Sequence, residues 1–314
     1  MTKYNATYWC SWGGNRFATK DIETNAVDLA EIPEVYNTII VSFIITDDGI
    51  NPVLSNEIDI DKIKTAQSKN QKVLISIGGE RANFKITTQA EGKSLQDGLI
   101  DIIKKYNFDG LDIDIEGHTI ENSDPKLFGE AVLSTTEYFR KENPEFMLTS
   151  APEFPNLREV AKWYPTLFNT INMDNITVIW PQFYNQGGDG VHDQSGAYIS
   201  ALSGMSTFLA VCTWAFTTDE GHNGNSGFIK IPKEKFALGI PASNGASGSP
   251  EYVTTPTQMK EAYTMIKDKY KTSISGFMNW SADFDAYVQK VEGDSSLDHT
   301  AWETGIAAAD ILDI

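Results

Sequence analysis

The chain has 314 residues, of which 25 are Lys or Arg and 43 are Asp or Glu, giving a formal net charge of −18 at pH 7. A chain of this length buries a substantial core, but it is short for two large domains. The acidic balance argues against nucleic acid and anionic membranes as partners and is compatible with a neutral polysaccharide. The two cysteines, Cys10 and Cys212, exclude a disulfide-dense scaffold, and we expect two separate buried thiols because both lie in apolar segments.

Short apolar segments alternate with amphipathic ones along the whole chain. The apolar segments are β-branched or aromatic and bounded by turn residues, which predicts strands. The strand candidates are residues 5–12, 37–45, 72–78, 108–116, 146–151, 176–184, 235–241 and 274–280. The helix candidates are residues 59–69, 93–106, 125–142, 156–168, 197–211 and 256–270. Asp124-Pro125 and Thr255-Pro256 each predict a helix start, because Asp and Thr cap helices and Pro suits the first turn.

This alternation predicts a parallel sheet with helical crossovers, and eight units fit a closed (β/α)8 TIM barrel, class α/β, as a single domain over residues 1–314. An open doubly wound sheet would usually carry a glycine-rich nucleotide turn after the first strand. No GxGxxG follows Gly13 and Gly14, so we expect no nucleotide cofactor. The longest apolar-leaning segment, residues 198–216, is interrupted by polar residues and predicts no membrane span.

The most informative strand candidate carries the sequence FDGLDIDIE and ends at Glu116. Because side chains alternate across a strand, Asp112, Asp114 and Glu116 share one face, with successive members roughly 6.5–7 Å apart. In a barrel this face points inward, where like charges must be protonated or hydrogen-bonded and titrate as a group. Glu116 is nearest the C-terminal mouth and best placed to hold a proton for a substrate.

Alternation alone leaves two other interpretations open, a solvated acidic edge strand and a metal site. A metal site is the less favoured, because the four histidines do not cluster in the sequence. They are His118, His192, His222 and His299.

The segment Asp109-Gly110-x-Asp112-x-Asp114-x-Glu116 resembles the DGxDxDxE signature of family-18 glycoside hydrolases, the chitinase family. Further motifs agree with the family in the same order, and the resemblance covers almost the whole chain. They are Ser76-Ile77-Gly78-Gly79, Ser150-Ala151-Pro152-Glu153, Gln182-Phe183-Tyr184-Asn185 and Gly276-Phe277-Met278-Asn279-Trp280-Ser281.

The resemblance implies a chitinase in which Glu116 protonates the glycosidic oxygen and later acts as base for water. The nucleophile would be the carbonyl oxygen of the substrate's own 2-acetamido group, with retention of configuration. Asp114 would hydrogen-bond the acetamido N–H, and Asp112 would share a proton with Asp114. The Tyr184 hydroxyl would hold the acetamido carbonyl in line for attack.

The resemblance also implies residues that contact sugar. Trp280 is expected to stack under the sugar at the cleavage site, and Gln182 and Asn185 are expected to bind substrate. Trp12 and Trp214 are candidates for outer sugar subsites. The alternative for each tryptophan is a packing role, which is the commoner one for a lone tryptophan.

Residues 242–273 leave no room for the α+β insertion found in deep-groove relatives between strands seven and eight. We therefore expect a shallow cleft and endo-cleavage of chitin or chitooligosaccharides, by an extracellular protein whose chain opens without a signal-peptide pattern. Three alternatives stay open: an endo-β-N-acetylglucosaminidase acting on N-glycans, a catalytically weak chitin-binding lectin, and a subunit of a larger secreted or toxin assembly instead of a monomer. Retention of Glu116 and of the DxDxE spacing argues against the first two.

Overall fold

The computed structural model describes residues 2–13, 16–17, 22–23, 26–169 and 171–314. Eight parallel strands form a nearly closed barrel in which each strand neighbours the next along the chain and the eighth pairs with the first. The sixth and seventh are joined by isolated bridges, including Gln182 with Gly239. The predicted (β/α)8 barrel is confirmed. The strands are β1 Tyr4–Cys10, β2 Thr38–Thr46, β3 Lys72–Gly78, β4 Gly110–Asp114, β5 Met147–Ser150, β6 Val178–Ile179, β7 Ala237–Pro241 and β8 Gly276–Trp280.

Helices follow the strands, and several begin at side-chain caps. Asp124 accepts hydrogen bonds from the backbone N–H groups of Lys126 and Leu127, and Thr255 forms a capping box with Gln258, so both predicted helix starts are confirmed. The helices are α1 Ile60–Ser68, α2 Gln89–Tyr106, α3 Gly117–Asn122, α4 Pro125–Arg140, α5 Val160–Trp163, α6 Met205–Thr217, α7 Asp219–Gly224, α8 Pro256–Asp268, α9 Ala282–Asp285 and α10 Glu303–Leu312. Shorter strands lie outside the barrel: Arg16–Phe17 pairs with Ile22–Glu23, Gly190–His192 pairs with Tyr198–Ser200, and Pro52–Leu54 pairs with β2.

Two predicted helices were wrong in extent. Residues 156–168 form a 3-10 turn and the single turn of α5, because Pro155 and Pro165 flank the segment and restrict the backbone. Residues 197–211 begin as one arm of a hairpin, and α6 starts only at Met205. Nearly every residue of α6 is buried, so the helix has no polar face to mark its ends. No helix in the described part of the chain is long and apolar enough to cross a membrane.

The barrel has two hydrophobic layers, and β4 contributes to only one of them. Leu111 and Ile113 pack in the outer layer beneath the helices. The inner layer consists of residues from the other strands, including Tyr8, Trp180 and Met278. The opposite face of β4 therefore places its carboxylates inside the barrel, as the alternation predicts.

The two cysteines are buried in separate places. Cys10 ends β1, with its Sγ 3.7 Å from the Oγ of Ser281. Cys212 lies within α6. The expectation of two separate buried thiols is confirmed.

Candidate active site

The end of β3 brings the backbone into close contact with the carboxylate strand. Gly78 has a φ of +124°, and a Cβ at this position would lie 1.9 Å from the carbonyl oxygen of Asp114. The backbone N–H of Gly79 donates to the same oxygen at 2.7 Å. Only glycine permits this approach, so the SxGG motif shapes the barrel interior.

Asp112 is fully buried and accepts four hydrogen bonds. Its Oδ2 accepts from the hydroxyls of Tyr8 at 2.5 Å and Ser76 at 2.8 Å. Its Oδ1 accepts from the hydroxyl of Thr149 at 2.5 Å and the indole N–H of Trp180 at 3.2 Å. These four donors engage both Asp112 oxygens, and the proton that Asp112 is expected to share with Asp114 stays a prediction.

Asp114 and Glu116 meet at the side-chain amide of Gln182. The Nε2 of Gln182 donates to Asp114 Oδ1 and Glu116 Oε1, both at 2.7 Å, and lies 3.1 Å from the carbonyl oxygen of Ala151. Asp114 is buried, whereas Glu116 is partly exposed at the mouth. This geometry presents Glu116 to an incoming substrate and keeps Asp114 beneath it.

Burial and like charge raise the pKa of both carboxyl groups. Desolvation and the charges of Glu116 and Asp112 hold the pKa of Asp114 well above its usual range. Desolvation also raises the pKa of Glu116, while hydrogen bonds from Gln182 and Asp114 oppose that rise. The pair therefore retains a proton at a pH where exposed carboxylates have lost theirs, which is what a general acid requires.

Tyr184 lies at the edge of the same group. Its side chain is buried, and desolvation together with the charges of Asp114, Glu116 and Asp112 raises the pKa of its hydroxyl well above 10. The hydroxyl therefore stays protonated and is able to donate a hydrogen bond.

Aromatic rings form a wall beside the carboxylates. Trp280 stacks on Phe43 with centroids 6.0 Å apart and planes 12° apart, and it contacts Tyr8 at 5.5 Å. Trp12 stacks on the same Phe43 at 6.1 Å and is 40% exposed. A Cβ on Gly79 would lie 2.7 Å from the Phe43 ring, so this glycine makes room for the wall. The rings of Trp280 and Trp12 lie 6.4 Å apart, and their contacts with sugar stay a prediction. Sequence reasoning missed Phe43.

Asn185 holds a loop at the mouth. Its Oδ1 accepts a hydrogen bond from the backbone N–H of Gly248 at 2.7 Å. Its backbone has a φ of +58°, a conformation that asparagine adopts more readily than most residues. The side chain thus connects the end of β6 to the loop after β7, and any contact with sugar would be made from that position.

Trp214 lies away from this site. Its ring is 3% exposed within α6 and packs against Tyr270. A tryptophan buried between helices has no face for a sugar, so its place in the structure contradicts the predicted outer subsite. The predicted helix over residues 197–211 ended before Trp214, whereas α6 continues to Thr217 and includes Trp214.

Glu153 is a further carboxylate at the mouth that sequence reasoning quoted only as part of a motif. It pairs through its backbone with Gln182, and its Oε2 accepts a hydrogen bond from Asn156 at 3.1 Å. Desolvation and the charge of Glu116 raise its pKa. Its position directly after β5 was the available signal, because catalytic groups of barrels follow strand ends.

Among the residues that the structure describes, no group of three or more His, Cys, Asp or Glu side chains is arranged to hold a metal ion. The arrangement is suited instead to proton transfer, with one partly exposed acid above two buried ones.

The chain is similar to known proteins over almost its whole length. The profile of Glycosyl hydrolases family 18 matches residues 5–304. A chitinase of Enterococcus faecalis is 30% identical over 298 residues, which cover 92% of this chain and 83% of the relative. Chitinase Chi52 of Paenibacillus xylanexedens is 27% identical over 256 residues, and the match covers 70% of this chain but 47% of that longer protein.

Solved structures share the fold across almost the whole chain. A family GH18 chitinase from Chromobacterium violaceum superposes with a TM-score of 0.74 at 20% identity, covering 99% of this chain and 84% of that one. A GH18 chitinase from Pseudoalteromonas aurantia gives 0.62 at 22% identity, covering 98% and 99%. With the family profile spanning the barrel and its carboxylate strand, the chain belongs to glycosyl hydrolase family 18 and is a chitinase-like glycoside hydrolase.

Proposed function

We propose that the protein is a chitinase that hydrolyses β-1,4 bonds between N-acetylglucosamine units with retention of configuration. The observation that carries the proposal is the meeting of Asp114 and partly exposed Glu116 at one amide nitrogen, next to Asp112, whose donor Tyr8 contacts the ring of Trp280. A buried, proton-retaining carboxyl pair next to an aromatic face suits a neutral sugar whose leaving group needs a proton.

The mechanism is substrate-assisted. Glu116 protonates the glycosidic oxygen while the carbonyl oxygen of the substrate's 2-acetamido group attacks the anomeric carbon, breaking the glycosidic bond. Asp114 accepts a hydrogen bond from the acetamido N–H, and the protonated hydroxyl of Tyr184 donates to the acetamido carbonyl. Glu116 then removes a proton from the incoming water as it attacks the anomeric carbon and opens the cyclic intermediate.

The loop between β7 and β8 supports endo-cleavage. Residues 242–275 are all described, and they form two 3-10 turns and α8 without an added sheet. A cleft without a wall on this side admits the middle of a chain as readily as its end. Partly exposed Trp12 offers a sugar contact beyond Trp280.

A single substitution tests the proposal. Glu116→Gln keeps the hydrogen bond from Gln182 but holds no transferable proton, so hydrolysis of chitopentaose should fall ~10²–10⁴-fold. Glu121→Gln on nearby α3 is the matched control, because the Glu121 side chain is largely exposed and lies 3.8 Å from His118. Equal rates for wild type and Glu116→Gln would refute the assignment.

The substrate and stereochemistry are tested separately. Proton NMR of the first products should show the β-anomer, as retention requires, and a fully deacetylated oligomer should not be cut because it carries no acetamido nucleophile. Release of an inverted product would contradict the mechanism. We further propose that residues 1–314 form one catalytic domain, which is a monomer. We propose that it acts outside the cell, since its proposed substrate is an extracellular polymer.

A further inference from the structure

The side-chain amide of Gln182 contacts three oxygens inside the barrel. Its Nε2 lies 2.7 Å from one oxygen each of Asp114 and Glu116 and 3.1 Å from the carbonyl of Ala151. Since its neighbours are a carbonyl and carboxyl oxygens, the nitrogen of the amide faces them and its oxygen does not. The two N–H bonds of Gln182 are therefore used by protein acceptors, and the side chain is 6% exposed.

We propose that Gln182 is a positioning residue that acts through Glu116 and Asp114, holding both carboxyl groups at one nitrogen and setting the pH range in which the pair keeps a single proton. The proposal rests on the function proposed above and deepens it. It uses both N–H bonds of Gln182 within the protein, whereas the sequence predicted that Gln182 binds substrate.

The physical reason is the direction in which a donated hydrogen bond shifts the pKa of a carboxyl group. A donor to a carboxylate stabilises the charged form, so Gln182 lowers the pKa of Asp114 and of Glu116 and opposes the desolvation that raises both. Without this donor the pair would hold its protons to higher pH. Glu116 would remain an acid, but Asp114 would ionise too late to accept the acetamido N–H.

Other titratable groups also face the pair, from β1 and β4 and from the segments that follow β3, β5 and β6. They are Asp112 on β4, Tyr8 on β1, Glu80 after β3, Glu153 and Tyr164 after β5, and Tyr184 after β6. Substitution of Gln182 alone removes none of these groups. A shift of the pH profile on substitution of Gln182 therefore reports the lost donor.

The test is the pH dependence of kcat and KM for Gln182→Met on 4-nitrophenyl chitotrioside. Methionine has a similar length but no donor, so both limbs of the kcat profile should move to higher pH by about one unit, with KM nearly unchanged. Gln67→Met is the matched control. The Nε2 of Gln67 also donates to an aspartate, Asp109 at 3.0 Å, and to a backbone carbonyl, at the opposite end of the same strand, so its profile should overlay the wild type.

Two results would overturn the proposal. If the limbs of the kcat profile stay at the wild-type pH and KM rises, Gln182 contacts the substrate. If the limbs stay in place and only kcat falls, the role of Gln182 is structural. Gln182→Glu is the second variant: it keeps the side-chain length but adds a third carboxyl group, and it should move the limbs upward further than methionine does.

A substrate-free measurement separates this proposal from the proposed function. Titration of the carboxyl carbons by ¹³C NMR should show the Asp114–Glu116 pair protonating at higher pH in Gln182→Met than in the wild type. That shift would support the role of Gln182 even if the wild type failed to cut chitooligosaccharides. An unchanged titration would refute it whatever the activity.

Discussion

Asp114→Asn should make the protein more stable at neutral pH while impairing hydrolysis. Asparagine is close in shape to a protonated aspartate: its Oδ1 can accept from Gln182 and its amide can donate to Glu116, but it cannot ionise. Asp114 is buried with like charges of Glu116 and Asp112 beside it, and these raise its pKa in the folded protein. Its contribution to stability is present below the unfolded pKa near 3.8 and is lost as the pH rises through the folded pKa.

Removing a buried, poorly compensated charge is worth on the order of 1–3 kcal/mol. For a chain of this length that is about 2–5 °C in Tm. Calorimetry from pH 4 to pH 8 should show a Tm difference between variant and wild type that is small at pH 4 and grows with pH. Asp109→Asn is the control: this carboxylate pairs with Lys72 and accepts from the Val73 N–H, so its loss should lower Tm at neutral pH. A difference for Asp114→Asn that is independent of pH would refute the reasoning.

Gly78→Ala should lower the free energy of unfolding by more than about 3 kcal/mol, because its Cβ would overlap the Asp114 carbonyl at a positive φ. Urea unfolding would measure this against Gly188→Ala, where no atom lies within 4 Å of the added Cβ, and similar midpoints would contradict the geometry. Phe43→Ala removes the ring behind Trp280 and should lower kcat/KM for chitotrioside by about fivefold, through loss of a stacking contact worth about 1 kcal/mol. Phe139→Ala, which breaks a stack on Phe146 at 4.8 Å in the outer layer, should lose stability without this change in kcat/KM.

The carboxylate ladder of β4 could be predicted because it depends on a local property. Alternation across a strand is set by the backbone alone, so Asp112 and Asp114 were placed inside the barrel without knowledge of any other strand. The strand order followed in the same way, since right-handed crossovers leave few arrangements for eight alternating units. The glycines at the end of β3 could be recognised by their motif. The reason that glycine is needed there is the close approach of the Asp114 carbonyl, which the sequence does not show.

Phe43 shows where alternation fails. Ile40 lies in the inner layer and Val41 in the outer one, so regular alternation would place residue 43 outside. The pairing of β2 with β3 shifts register between Val41 and Ile44, and this bulge turns Phe43 into the mouth. A bulge depends on the partner strand, and no feature of the local sequence announced it.

The partners of Asp112 could not be predicted for a related reason. Its four donors lie on β1, β3, β5 and just after β6, and each is far from residue 112 in the sequence. Only closure of the barrel brings them to one carboxyl group. The motif gives the three acids but not how the proton is distributed among them.

The distribution of the proton explains how the three acids of one strand can have different roles. Burial raises the pKa of Asp112, but its four neutral donors oppose that rise, whereas Asp114 has the bond from Gln182 and two like charges that help hold its pKa well above its usual range. Asp112 therefore ionises more readily than Asp114. The negative charge of Asp112 favours keeping a proton on the Asp114–Glu116 pair, which lies nearer the mouth. A single proton there is sufficient for the proposed chemistry. When this proton lies on Glu116, it is available to the glycosidic oxygen. Asp114 is then a carboxylate, which is the acceptor that the acetamido N–H requires.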